Sequence, residues 1–145
     1  MKKIEYHYVT KDIKEFVLGG KSEFTILNTL NDVNYKYRIK ANKEHDIWFV
    51  SIKLDGSFKY AGFIKKEGIT GSYQYIRGKK GTVDARHEAV KGLFWVIRNA
   101  DNMNPIVKVI HHGKCACCGK ALTDERSIER GIGPICYAKV KQYDL

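Results

Sequence analysis

DIWFVSIKLDGSFKYAGFIKK, residues 46–66, decides the fold class. Asp46 to Leu54 and Phe58 to Lys66 are alternating apolar runs. The Asp55-Gly56 pair between them accepts the two positive φ angles of a type I′ turn, so the stretch predicts a tight antiparallel hairpin. Upstream, Val33, Tyr35, Tyr37, Ile39 and Ala41 alternate with Asn34, Lys36, Arg38 and Lys40, which predicts a half-buried strand with a basic outer face. Asn31 and Asp32 join it to a further strand from Glu23 to Leu30. Met1 to Val9 alternates with Ile4, Tyr6 and Tyr8 on one side, and Thr10 can cap a short helix that ends at Gly19 and Gly20.

Downstream, Glu67 to Gly81 carries four glycines among Tyr73, Tyr75, Arg77, Lys79 and Lys80, the composition of a basic loop or edge strand. Asp84 to Ala100 places Ala85, Ala89, Leu93, Val96, Ile97 and Ala100 on one helical face, with Asp84 as its cap and Gly92 suggesting close packing. Asn102 to Pro105 stops this helix, and Ile106 to Ile110 returns as a strand. The expected fold is α+β: a small antiparallel sheet packed on one main helix, residues 1–110, with a C-terminal treble-clef-like zinc motif, 111–145, docked on it.

A chain of 145 residues supports one core and not two ordinary domains. No apolar run approaches the roughly 18 residues of a membrane span, and MKKIEYHYV alternates with charge where a secretory signal is continuously apolar. A soluble, cytoplasmic protein without membrane contact is expected. Twenty-six Lys and Arg against sixteen Asp and Glu leave a formal +10, which favours polyanionic partners.

All four cysteines fall in HHGKCACCGK (111–120) and GIGPIC (131–136). Cys115 and Cys118 form a CxxC pair closed by Gly119, the turn residue a zinc knuckle requires. Seventeen residues separate Cys118 from Cys136, within the about 15 to 20 that part the halves of a zinc site. Pro134 suits the first position of a helix and puts Cys136 in its first turn, where the dipole favours a thiolate. Between the halves, Thr123 can cap a short helix that Gly131 ends.

A closed site needs a fourth ligand, and His112 is the choice because its HxxC spacing to Cys115 mirrors the CxxC step. His111, facing the other side of the strand, and a water in an open site are the alternatives. Cys117 is then a spectator. His7, His45 and His87 have no partner pattern and read as surface or packing positions.

Catalytic readings fail on detail. His87-Glu88 lacks the second histidine of HExxH, and the tail lacks the deaminase zinc signature. Gly113 to Lys120 has five residues between its glycines where a phosphate loop has four, and Ala121 stands where Ser or Thr would hold magnesium. The chain reads as no enzyme, the residual alternative being a degenerate treble-clef nuclease that uses His111.

The tail CACCGKALTDERSIERGIGPIC (115–136) resembles a motif of uncharacterised phage and phage-derived proteins, CxxCG(K/R)xLTxxxSIxxGxGPxC, with Leu122, Thr123, Ser127, Ile128 and the GxGPxC box in register. The body is more weakly similar, through WFVSIKLDGSFKYAGFI and DARHEAVKGLFWVIR. The resemblance implies a viral or prophage origin, a zinc site on Cys115, Cys118 and Cys136, and no known enzyme activity. Cys117 departs from it, since relatives carry a basic or small residue there.

Two functions follow as expectations. The first is binding of nucleic acid or a nucleoprotein complex, through aromatic and basic residues that interleave. The interleaved stretches are YKYRIK (35–40), FKYAGFIKK (58–66) and YQYIRGKK (73–80). Alternation turns Tyr35 and Tyr37 away from Lys36 and Arg38, so the better candidates are Tyr73, Tyr75, Arg77, Lys79 and Lys80, with Lys114, Lys120, Arg126 and Arg130 on the tail. The second is a viral inhibitor, like an anti-CRISPR protein, that docks directly on a host defence or transcription protein while a structural zinc braces the contact surface.

Overall fold

The computed structural model describes residues 7–42, 44, 46–79 and 83–142. The expectations placed on Ile4, Tyr6, His45 and Lys80 lie outside the described residues. The sheet dominates the architecture: seven antiparallel strands in the order β1-β7-β2-β3-β4-β5-β6, with the helices on one face. The strands are β1 His7–Tyr8, β2 Lys21–Asn28, β3 Asn34–Asn42, β4 Ile47–Leu54, β5 Ser57–Lys66, β6 Tyr73–Arg77 and β7 Val107–His111. The helices are α1 Ile13–Val17, α2 Glu88–Arg98, α3 Glu125–Arg130 and α4 Pro134–Gln142. None of them is long and apolar enough to cross a membrane.

The hairpin forms as its sequence dictates. Asp55 and Gly56 take φ of 52° and 83°, and β4 pairs with β5 from Leu54↔Ser57 outward. One irregularity changes its consequences. The register shifts between Val50 and Ser51, which pair with Gly62 and Tyr60 and leave Ala61 bulged out of the ladder. A bulge inverts side-chain parity, so residues on either side of Ala61 separated by an odd number reach the same face.

The covered face holds Phe24 and Ile26 from β2, Tyr37 and Ile39 from β3, Val50 and Ile52 from β4 and Ile64 from β5, all buried. Against it α2 lays Ala89, Val90, Leu93, Phe94, Val96 and Ile97. Tyr37 stacks on Phe24 at 5.3 Å and its hydroxyl donates to the Ala89 carbonyl at 2.7 Å, so the large polar-tipped ring is satisfied where it is buried. Gly92 is not forced, because a Cβ there would stand 3.8 Å from the Tyr37 hydroxyl, an ordinary contact.

Three caps differ from expectation. His87, not Asp84, caps α2 by accepting from Ala89 N–H, while Asp84 is spent on the Arg86 N–H. Asp12, not Thr10, precedes α1, with a left-handed backbone and the Tyr137 hydroxyl on its carboxylate at 2.8 Å. Asp124, not Thr123, caps α3 by accepting from Ser127 N–H at 3.1 Å.

After α2 the chain returns as β7, which inserts between β1 and β2 and antiparallel to both. The strand spans the 110/111 boundary and hands the chain to the cysteine tail. Cys115, Ala116 and Ile132 of that tail belong to the same buried core as Phe16 and Val17.

Candidate metal centre

Beyond β7, residues 113–122 fold back in a miniature hairpin. Leu122 N–H donates to Gly113 carbonyl and Cys115 N–H to Lys120 carbonyl, both at 2.8 Å, and Lys114 bridges Ala121. Gly113 and Gly119 both need positive φ, 79° and 78°, which explains the glycines that flank the CxxC pair. This knuckle is seated on the body by Ala116. Its carbonyl accepts from Lys21 N–H at 2.7 Å and its N–H donates to Gly131 carbonyl at 2.9 Å. Gly19 admits it, since a Cβ there would stand 2.9 Å from the Ala116 oxygen.

The second half arrives through α3, closed by Gly131 at φ 71°, and α4, which opens at Pro134 and carries Cys136 in its first turn. The outcome is that the sulfurs of Cys115, Cys118 and Cys136 lie within 4.8 Å of one another. A tetrahedral site with metal–sulfur bonds of about 2.3 Å has sulfurs about 3.8 Å apart, so the three can hold a metal ion with minor adjustment.

Electrostatics favour the ligand form of one sulfur first. The Cys115 thiol is drawn down to about 4 by the hydrogen bond from Cys117 and by the backbone N–H groups of Gly133, Cys118 and Cys117, against burial. The Gly133 bond is 3.3 Å long. Cys136 is pushed up to about 11, by burial and then by its sulfur neighbours, and Cys117 is raised by its bond to Cys115 and by burial. Without a cation, then, the surroundings favour the thiolate at Cys115 and the thiol at Cys117 and Cys136. A metal ion reverses that logic and deprotonates its thiols outright. Cys118 is exposed, and a cavity of about 390 Å³ lined by Lys120, Asp124, Pro134 and Lys139 opens onto all three cysteines.

Neither histidine joins them. His112, the expected fourth ligand, lies on the opposite, uncovered face of the sheet, where its Nε2 is 3.2 Å from Thr25 Oγ1. His111 is buried on the covered face and stacked on His7 at 5.0 Å. Its Nδ1 accepts from Gly113 N–H, so Nε2 carries the proton and donates to the Ile128 carbonyl. With both nitrogens engaged, His111 offers no atom to a metal or a substrate. Cys117 is half-buried beside Cys115 and outside the three-sulfur cluster.

Burial holds the His111 pKa below its ordinary 6.5, with the nearby His7 adding to that and the Ile128 carbonyl opposing it. The sign follows. Well above pH 6.5 the ring is neutral whether the chain is folded or not. Below it the unfolded chain takes up a proton that the folded one refuses, so stability falls until the folded pKa is passed. The His111 contribution to the denaturation midpoint is expected to be level well above pH 6.5 and to fall as pH drops below 6.5, with the His111 ring titrating below 6.5 by NMR. A ring titrating at or above 6.5 removes this account.

The nucleic-acid candidates read from sequence do not converge. Tyr73 and Tyr75 point to the helix-bearing face, where Tyr73 packs edge-on to Trp48 and the Tyr75 hydroxyl donates to Val83 carbonyl at 2.8 Å. Arg77 and Lys79 are exposed near that edge. Lys114, Lys120 and Arg126 are exposed on the tail, whereas the Arg130 guanidinium sits over the Tyr137 ring, 3.8 Å from its centroid. The residue missed is Phe49, which is half-buried on the uncovered face with Phe58, Tyr60 and Phe63 of the interleaved stretch 58–66. Phe49 was legible from its parity in β4, opposite to Trp48, Val50 and Ile52. Phe63 was not, because the Ala61 bulge puts it with Phe58 and Tyr60.

Fold and site together define an α+β protein with a knuckle-and-helix centre of three cysteines. Residues 110–141 match DUF6011, a family of unknown function. That segment starts in β7 and contains the whole cysteine centre. No curated protein and no solved structure matches the chain.

Proposed function

We propose that the chain is a non-enzymatic, zinc-braced basic protein that binds nucleic acid, alone or in a nucleoprotein complex, in the phage-infected host cytoplasm that its tail's resemblance implies. The observation that carries this reading is the charge on the sheet. Among the described residues of all seven strands, Glu23 is the single carboxylate, in a chain of net charge +10. Lys36, Arg38 and Lys40 project together from β3, and Lys53 extends the same face on β4. A polyanion running along such a surface meets one carboxylate, Glu23, already paired with Lys36 and Arg38. Zinc fits three clustered thiolates, and its role is to hold the tail against β2 and α1.

Fluorescence anisotropy of labelled oligonucleotides tests the reading. Affinity is expected to fall steeply between about 50 and about 200 mM salt, as counterions released by neutralised phosphates compete back. Absence of binding to any nucleic acid at the lower salt overturns it. A defined-stoichiometry complex with a host defence or transcription protein that survives the higher salt would favour the inhibitor reading in its place.

A further inference from the structure

The face of the sheet turned away from the helices is not an ordinary solvated surface. Each described helix whose partners are known packs on the other side: α2 against Tyr37, α1 against Phe24, α3 against His111. Yet this side carries an aromatic band across β4 and β5. Phe49 lies 6.2 Å from Tyr60 and 6.5 Å from Phe63, centroid to centroid, and Phe58 continues the band beneath the Arg38 guanidinium at 3.9 Å. The bulge at Ala61 is what assembles it, because without that parity change Phe63 would face the core.

Cations border the band on the β3 side. Glu23 holds Lys36 and Arg38 at 3.3 Å each and so fixes both beside the rings. Lys40 stands opposite Phe49 in the ladder, and both line a groove of about 460 Å³ that crosses β3 towards Lys21 and Glu23 of β2. Rings flanked by lysine and arginine match a chain that offers π-faces and phosphates in turn. A protein partner is the poorer match, since the centres of protein interfaces are depleted of lysine. A duplex is also poorer, because its bases stack about 3.4 Å apart and hide their faces, while these rings are spaced nearly twice as far.

We propose that this face is a binding site for single-stranded nucleic acid, with bases stacked on Phe49, Tyr60 and Phe63 and phosphates held by Lys36, Arg38, Lys40 and Lys53. The site deepens the nucleic-acid reading above and rests on it. It makes no use of the cysteine centre, none of whose sulfurs lines the groove.

The test uses the full chain with labelled oligo(dT), oligo(U) and a duplex of equal length. Single strands are expected to bind at least tenfold more tightly than duplex, with a slope of log K on log salt of about −3 for four phosphate contacts. The Phe49→Leu/Phe63→Leu variant keeps every cation, and is expected to lose about tenfold or more in single-strand affinity at unchanged slope. Should that variant fold poorly, photocrosslinking of the wild-type chain to bromouridine-bearing RNA is expected to place adducts within residues 46–66. Preference for oligo(U) or oligo(dT) then tells RNA from DNA. Equal affinity for duplex and single strand, with adducts elsewhere, overturns this site and leaves the nucleic-acid reading standing. Binding to none of the three overturns both.

Discussion

Replacing Cys136 by serine is expected to abolish stoichiometric metal binding and to unfold the C-terminal tail. Cys136 is the one sulfur that α4 brings to the CxxC knuckle, and with it gone only Cys115 and Cys118 remain of the cluster. A neutral hydroxyl is a poor ligand, and structural zinc contributes about 10 to 16 kcal/mol of apparent binding energy to the folding of small motifs. Losing most of it removes what joins α4 to the knuckle. The damage should spread, because Ala116 and Ile132 share a core with Phe16 and Val17. Native mass spectrometry should show one metal ion on the wild-type chain and none on the variant. Hydrogen exchange should show loss of protection from 113 to 136 and around α1, with β3 to β5 retained. Cys117→Ser is the control, expected to keep the metal because its sulfur lies outside the cluster. Unchanged metal content in Cys136→Ser would sink the assignment of the centre.

Gly131→Ala is expected to cause the next largest loss, for reasons of space and backbone conformation. Gly131 ends α3 at φ 71°, and a Cβ there would stand 2.5 Å from two ring atoms of Phe16, which is wholly buried and cannot swing aside. The left-handed conformation costs a non-glycine residue about 1 to 2 kcal/mol, and forcing a methyl into a packed core about 1 to 3 more. A loss of about 2 to 5 kcal/mol follows, roughly 10 °C in melting temperature for a chain of this size. Gly56→Ala separates the two causes. Its φ is 83° but nothing stands within 4 Å, so it should show the backbone cost alone. Equal losses in the two variants would mean that Gly131 does not press the tail onto α1.

Much of the molecule was legible without coordinates because its signals are local. Alternation along 33–41, the Asp55-Gly56 turn, the glycines around the CxxC pair and Pro134 ahead of Cys136 each depend on a few neighbouring residues, and each formed where it was expected. The sequence of the tail alone was enough to pick out the three cysteines that the fold brings together. Caps were less certain because several short polar residues compete near each helix start, and His87 and Asp124 prevailed over Asp84 and Thr123 by where the chain entered.

Three features were left to the tertiary structure. The sheet dominates rather than a helix, because β7 inserts between β1 and β2, a pairing of residues about a hundred positions apart that no local pattern encodes. HxxC spacing suggested His112 as a ligand, but the strand ends only after it has turned that ring to the uncovered face, beside Thr25. The aromatic band exists because one bulged residue, Ala61, inverts the parity of the strand beyond it, and where a ladder slips is set by the packing of both faces at once. Spacing along the chain names the residues able to do chemistry; which of them meet is decided by contacts between segments that the chain itself keeps far apart.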